Sequence, residues 1–160
     1  MFSIGITDYF FPTFKVDDPA YNNNYFDYDS ETTGHYIEAN LGFSGTEGFP
    51  VSISANVFFY GADKKPEDPD DLENTEMVNA YSTYIEIAYS GELENIGYSV
   101  FVGLTPNETS LYSDKAGLVH CGLTTSKELK FTDSFSLPVS ASFIINPNQE
   151  NVYFVFGISL

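Results

Sequence analysis

The chain is short of basic residues and of cysteine, and each shortage argues against a class of protein. It has no arginine and six lysines against 23 acidic residues, so its formal net charge of −17 leaves no basic surface for a nucleic acid. Cys121 is the single cysteine, so the chain can form no internal disulfide, and no Cys/His cluster suggests a zinc site. No stretch approaches the roughly 18 consecutive apolar residues of a transmembrane helix. Nucleic-acid binding, a zinc domain and a helical membrane protein are therefore disfavoured.

The composition is nevertheless that of a folded protein. Hydrophobic residues make up 42% of the chain and aromatic residues 17%, which argues against disorder despite the acidic charge. A length of 160 residues fits one domain, and no linker divides residues 1–160. Neither a glycine-rich phosphate loop nor a recognisable Ser/His/Asp spacing is present, so we expect no cofactor.

Apolar and polar residues alternate with period two between the turn signals, which is the pattern of strands with one apolar and one polar face. No segment has a convincing helical pattern. The strand-like segments are 2–11, 35–44, 51–60, 82–90, 98–105, 117–127, 135–145 and 151–160. The sequence therefore predicts an all-β protein of about eight strands.

The links between these segments alternate in length. Long polar links at 12–34, 61–79 and 106–115 alternate with shorter ones, which are 45–49, 91–97 and 128–134. An antiparallel up-and-down sheet places all its short turns at one end and all its long loops at the other. Outer-membrane barrels have this asymmetry, with the long loops outside. We therefore predict an antiparallel up-and-down transmembrane β-barrel.

The polar face of the predicted strands favours the membrane barrel over a soluble one. Its residues are mostly small, as in a confined lumen, and all six lysines lie in links or at strand ends. Aromatic residues gather near both strand ends, as in the two girdles that bilayer interfaces select. In a soluble barrel, which would bind an apolar ligand, the apolar face would instead line the interior. We expect these apolar side chains to point outward: Ile37, Leu41, Ile53, Val57, Ile85, Ile87, Val139 and Phe143.

The last ten residues, NVYFVFGISL, carry a family resemblance. Apolar side chains occupy alternate positions up to the final residue: Val152, Phe154, Phe156, Ile158 and Leu160. This stretch resembles the C-terminal strand of Gram-negative outer-membrane proteins, although that family more often ends in Phe. The resemblance implies a lipid-facing strand that the outer-membrane assembly machinery recognises.

A wider set of stretches resembles small porin-like outer-membrane β-barrel proteins of Bacteroides-like Gram-negative bacteria. The matching stretches are GITDYFFP (5–12), HYIEANLGF (35–43), FPVSISANVFFYGAD (49–63), YSTYIEIAYS (81–90) and SFSLPVSASFIINPNQENVYFVFGISL (134–160). The resemblance implies a bacterial outer-membrane location and contact with the lipid bilayer. Members of this family carry further sequence before the GITDYFFP stretch, so upstream strands are expected to contribute to the barrel.

Two carboxylates in strand middles, Glu38 and Glu86, lie on the polar face with His120 and are the candidate site residues. One hypothesis is a lumenal hydrogen-bond network that satisfies both acids, because the chain offers them no arginine. The other is an enzyme that uses the three groups for acid–base chemistry or for a metal ion. The first hypothesis, in which the protein is not an enzyme, is preferred. The further residues of the network would be Tyr36, Tyr84, Asn40 and Asn56.

Acidic links suggest a weaker possibility, a bound divalent cation. Asp27, Asp29 and Glu31, with Glu38 further along, partly match the spacing of a calcium loop. Thr32 stands where that loop needs glycine, and its last acid falls in a strand. The segment 64–76 is most simply a solvated acidic loop, with a loosely held divalent cation as the alternative. We therefore expect no structural metal.

Overall fold

The computed structural model describes residues 1–11, 24–71, 73 and 76–159, and it shows ten β-strands and no helix in that part of the chain. The prediction of an all-β protein is confirmed. The strands are β1 Phe2–Phe10, β2 His35–Phe43, β3 Val51–Gly61, β4 Lys64–Pro66, β5 Met77–Asn79, β6 Thr83–Leu93, β7 Ile96–Thr105, β8 Gly117–Thr132, β9 Phe135–Asn146 and β10 Asn151–Ile158.

Eight of the strands form one antiparallel sheet in the order β1-β2-β3-β6-β7-β8-β9-β10, so each strand pairs with the next one in this order. The predicted up-and-down arrangement of eight strands is thus present. β4 and β5 form a separate hairpin within the long link between β3 and β6. Among the described residues, β1 pairs only with β2 and β10 only with β9, so the sheet is open at both edges.

Two of the three short turns are tighter than the sequence predicted, while the link predicted at 45–49 spans 44–50. β6 and β7 are joined by Glu94 and Asn95 alone, with φ angles of 49° and 70°, as a two-residue hairpin turn of type I′ requires. β8 and β9 are joined by Asp133 and Ser134. The predicted links at 91–97 and 128–134 are therefore wrong in extent. Backbone pairing does not depend on apolar side chains, so the ladders continue through the polar residues on both sides of each turn.

The described parts of the long links lie at the opposite end of the sheet, where β9 and β10 also join through residues 147–150. There Asn148 Nδ2 donates to the Leu118 carbonyl at 2.7 Å. Residues 12–23 of the first long link and residues 72, 74 and 75 of the second lie outside the described part of the chain.

One row of side chains crosses the whole sheet on its apolar face. Ladder partners follow one another from edge to edge in the order Phe2, Phe43, Ile53, Ile87, Val102, Cys121, Ile145 and Val152. None of the eight is buried. Those of the residues predicted to share this face that lie in the described part of the chain do so, and none of them is buried either. Near the two edges, Phe2 is 82% and Phe156 80% exposed.

Burial is concentrated elsewhere and is largely polar. The apolar residues buried within the described ranges are Phe58, Ala62, Ala80, Ala88 and Val119, while the buried polar residues are Thr33, His35, Glu38, Asp63, Ser82, Thr105, Thr109 and Ser113. An ordinary soluble domain buries large aliphatic side chains, whereas here the buried apolar residues are one Phe, three Ala and one Val, and two carboxylates, Glu38 and Asp63, are buried with them. No helix among the described residues is long and apolar enough to cross a membrane.

Candidate functional site

Glu38, in the middle of β2, is the centre of a first polar cluster. Its neighbour on the same face, Asn40, donates from Nδ2 to Glu38 Oε2 at 2.6 Å and to Asn56 Oδ1 at 3.0 Å. Thr7 Oγ1 donates to Asn40 Oδ1 at 2.7 Å, and the Tyr9 hydroxyl donates to Glu38 Oε2 at 3.4 Å. The i, i+2 spacing places Glu38 and Asn40 side by side, and the ladder places Asn56 opposite Asn40. These contacts leave Glu38 only 5% exposed.

The loop between β7 and β8 places Tyr112 near Glu38. Tyr112 and Glu38 line the same cavity, and the Tyr112 ring centroid lies 5.5 Å from that of Tyr84 on β6. Burial, and then the negative charge of Glu38, raises the pKa of the Tyr112 hydroxyl, so Tyr112 stays neutral. The loop therefore folds back over the polar face of the sheet.

Glu86, Tyr84 and His120 form a second cluster. The Tyr84 hydroxyl donates to Glu86 Oε2 at 2.6 Å and lies 2.9 Å from His120 Nε2, while His120 Nε2 and Glu86 Oε2 are 3.5 Å apart. A hydroxyl has one proton to donate. Because Glu86 accepts that proton, His120 must carry its own proton on Nε2 and donate it to the Tyr84 oxygen.

Gly103 provides the space that the Tyr84 ring occupies. It lies between Glu86 and His120 in the ladder, and a Cβ atom at this position would overlap the Tyr84 hydroxyl and ring. We expect Gly103→Ala to displace Tyr84 from Glu86 and to lower the free energy of unfolding by about 1–3 kcal/mol, measured by urea titration. Gly48→Ala is the matched control, because the space around Gly48 is open. Equal stability of the two variants would contradict the packing described.

The two carboxylates are not brought together. Glu38 is opposite Phe58 on β3 and Glu86 is opposite Ser54, so the two rows are four residues, or roughly 13 Å, apart along the strand direction. A cavity of about 360 Å³ lies beside Glu38, and neither Glu86 nor His120 is among the residues that line it. An acid–base pair must reach the same substrate. This geometry therefore does not favour the enzyme hypothesis in which all three residues act together.

Tyr36, the remaining residue of the predicted network, lies in the aromatic lining of that cavity. Its ring centroid is 5.8 Å from that of Phe11 and 6.0 Å from that of Phe58. Sequence parity placed Tyr36 on the polar face, but these aromatic contacts were not predicted.

His35 is fully buried and contacts Asp8 on the neighbouring strand, a pair that the sequence analysis missed. His35 Nδ1 lies 2.8 Å from Asp8 Oδ1, His35 Nε2 lies 2.7 Å from the Tyr25 carbonyl oxygen, and the Tyr28 ring stacks on the imidazole at 4.3 Å. Both ring nitrogens therefore face acceptor oxygens. A signal was present in the sequence: His35 and Asp8 interrupt the apolar parity of adjacent strands near their long-link ends.

The partial calcium-loop match does not produce converging ligands. Asp27 Oδ1 accepts from the Asp29 amide at 3.1 Å, and Asp29 Oδ1 accepts from the Glu31 amide at 2.9 Å. Glu38 is bonded instead within its own cluster. In the part of the chain that the structure describes, no group of three or more His, Cys, Asp or Glu side chains is placed to hold a metal ion.

The C-terminal strand carries its apolar parity on the apolar face of the sheet. Val152, Phe154, Phe156 and Ile158 are all exposed on β10, and Leu160 lies outside the described residues. Tyr153 and Val155 on the opposite face are also exposed, because β10 is an edge strand. Comparison of the chain with protein-family models, with curated proteins and with solved structures finds no match.

Proposed function

We propose that this chain is an outer-membrane β-barrel protein, of porin-like or structural type, whose eight strands cross the bilayer and whose acidic long loops lie outside. One observation carries the proposal: a row of apolar side chains that crosses all eight strands of the sheet with none of them buried. Soluble monomers rarely expose continuous apolar surface beyond a few hundred Å². Contact with lipid would remove this surface from water, at about 1.5–3 kcal/mol for each fully covered large apolar side chain.

The opposite face supports the same orientation. A soluble barrel that binds an apolar ligand would need the apolar residues inside, whereas here the polar face carries the buried carboxylate Glu38 and the Glu86 cluster. Serine and glycine on this face suit a narrow lumen in which polar groups bond to one another. We expect no catalytic activity, because the candidate acid–base residues are divided between two clusters.

Both edges of the sheet must be paired for the proposed barrel to form. Unpaired backbone groups at a strand edge are too costly in hydrocarbon, so a membrane sheet has to close. β1 and β10 run in opposite directions, because six strands lie between them in the antiparallel sheet. They can therefore pair directly with each other, or the sheet can close through an even number of added strands between them. The upstream strands that the family resemblance implies would fill the second role.

The proposal implies two kinds of partner, one at the C-terminal strand and one at the long-link end of the sheet. The exposed apolar parity of β10 suits recognition by the outer-membrane assembly machinery, as the resemblance of NVYFVFGISL implies. The long-link end carries exposed carboxylates that would attract cations; a loosely held divalent cation there stays a prediction. Within the described parts of the three long links, the exposed carboxylates are Asp29, Glu31, Glu67, Asp68, Asp70, Asp71, Glu73, Glu76, Glu108 and Asp114.

Fractionation tests the proposal directly. When the chain is expressed with an export signal in a Gram-negative host, we expect it in the outer-membrane fraction, extracted only by detergent. Because a folded barrel resists mild detergent denaturation, the band in a gel should shift when the sample is boiled. A monodisperse monomer in plain buffer, with no detergent and no shift on boiling, would contradict the proposal.

A further inference from the structure

We infer that the cavity beside Glu38 is a binding site for an organic cation with a quaternary or methylated ammonium head. The cavity, of about 360 Å³, lies on the polar face between β1, β2, β3 and the loop that joins β7 to β8. Its lining is aromatic with a single carboxylate. This combination of ring faces and one negative charge is how proteins recognise such cations.

Four aromatic side chains line the cavity, and each of their rings lies next to another. The centroid distances are 6.2 Å from Tyr9 to Phe11, 5.8 Å from Phe11 to Tyr36, 6.0 Å from Tyr36 to Phe58 and 5.8 Å from Phe58 back to Tyr9. The Tyr36 ring is turned 75° from Phe11 and 80° from Phe58, so these three rings can present faces to a shared space, while Tyr9 lies parallel to Phe11. A cation is attracted to a ring face within roughly 6 Å of its centroid, which is about the distance between neighbouring rings here. The spacing therefore suits a compact methylated ammonium group.

Glu38 supplies a buried negative charge that has no cationic neighbour in the described part of the chain. Its hydrogen-bond partners there are the amide of Asn40 and the phenol of Tyr9, and the phenol of Tyr112 lies near it across the same cavity. The ion pairs found among the described residues involve His35, His120 and Lys130, and none of them reaches Glu38. Burying a carboxylate away from water is costly without an opposite charge. A cationic ligand in the adjacent cavity would offset that cost.

The size and cover of the cavity limit what it admits. Leu111 and Tyr112, from the loop between β7 and β8, form one side of it. A volume of about 360 Å³ is at the low end of the range for small-molecule sites. The net charge of −17 would raise the local concentration of cations and repel anions. The expected ligand is thus a small organic cation and not a large solute.

This inference does not rest on the outer-membrane proposal. The cavity is formed by three adjacent strands and one loop, and it is present whether or not the apolar face meets lipid. Failure of the fractionation experiment would leave the cavity intact, and failure of cation binding would leave the membrane proposal intact.

Calorimetric titration of the full folded chain with choline tests the inference. The matched ligand control is the neutral alcohol in which a carbon atom replaces the choline nitrogen, because it has the same shape without the charge. We expect one choline per chain, bound at least about tenfold more tightly than the neutral alcohol. Equal affinity for the two would overturn the inference.

Two variants assign the site to residues. Glu38→Gln keeps the shape and removes the charge, and we expect it to weaken choline binding at least about tenfold. Glu92→Gln is the control, because Glu92 is exposed on the same face of the sheet and lies outside the cavity, and it should change the affinity less than about twofold. Equal losses in the two variants, or none in Glu38→Gln, would overturn the assignment.

Two further variants keep the test decisive. Phe11→Leu changes an exposed cavity residue, so it should fold even if Glu38→Gln does not, and it should weaken choline binding several-fold while leaving the neutral alcohol little changed. Lys15 lies outside the described residues, and Lys15→Gln should leave the affinity unaltered. A tenfold gain in Lys15→Gln would show that the chain's own lysine occupies the site, and would overturn the inference of an external ligand.

Discussion

Ile87→Lys is expected to lower the free energy of unfolding in lipid vesicles by about 2–4 kcal/mol. Ile87 lies in the middle of β6 on the apolar face, within the row that crosses the whole sheet. In the proposed orientation its side chain faces the centre of the bilayer, where an ammonium group loses its hydration. The measurement is a reversible denaturant titration of the reconstituted protein, followed by circular dichroism.

Leu93→Lys is the matched control for that experiment. Leu93 lies on the same strand and the same face as Ile87, six residues further along and next to the short turn. A lysine there would reach the interface, so the expected cost is only about 0–1 kcal/mol. If the apolar face met water, neither substitution would cost more than about 0.5 kcal/mol. Equal small losses would therefore contradict membrane insertion of this face.

Asp63→Ala is expected to lower the free energy of unfolding by about 2–4 kcal/mol. Asp63 is buried just after β3 and accepts two hydrogen bonds from the buried Ser82, one from its amide at 2.8 Å and one from its hydroxyl at 2.7 Å. Alanine would leave both donors without their partner and away from water. The same denaturant titration measures the loss.

A surface carboxylate provides the comparison for Asp63. The side chain of Asp133 is fully exposed, and its ion pair with Lys130 lies at the short turn between β8 and β9. Exposed ion pairs contribute little to stability, so Asp133→Ala should cause no measurable change. If Asp63→Ala, like Asp133→Ala, caused no measurable loss of stability, the bonds between Asp63 and Ser82 would not stabilise the junction of β3 with β6.

The strands and their faces were predictable because they depend on local alternation. Side chains of a strand point alternately to its two faces, so Val152, Phe154, Phe156 and Ile158 share a face in any sheet that contains this strand. The order of the strands was also predictable, since the alternation of short and long links suits only neighbouring antiparallel pairs. Turn lengths were less predictable, because the polar residues next to each turn pair through the backbone.

The site was predictable only in part. Glu38 and Glu86 could be singled out because they are carboxylates among small polar residues in strand middles. Their separation depends on the register of β3 against both neighbours, including an irregularity next to Glu38 that places Phe58 opposite it. Tyr112 could not be assigned to Glu38, because a loop's path over a sheet depends on contacts between residues far apart in sequence.

What this sequence determined by itself is a two-faced antiparallel sheet, with small and polar residues on one side and apolar residues on the other. That outcome needs only the period of the strand and the lengths of the links. The tertiary structure decided which polar groups meet: it separated Glu38 from Glu86, paired His35 with Asp8 and enclosed an aromatic cavity. Those contacts depend on strand register and on loops that fold over the sheet. Both are set by residues far apart in sequence, so the alternation along the chain does not encode them.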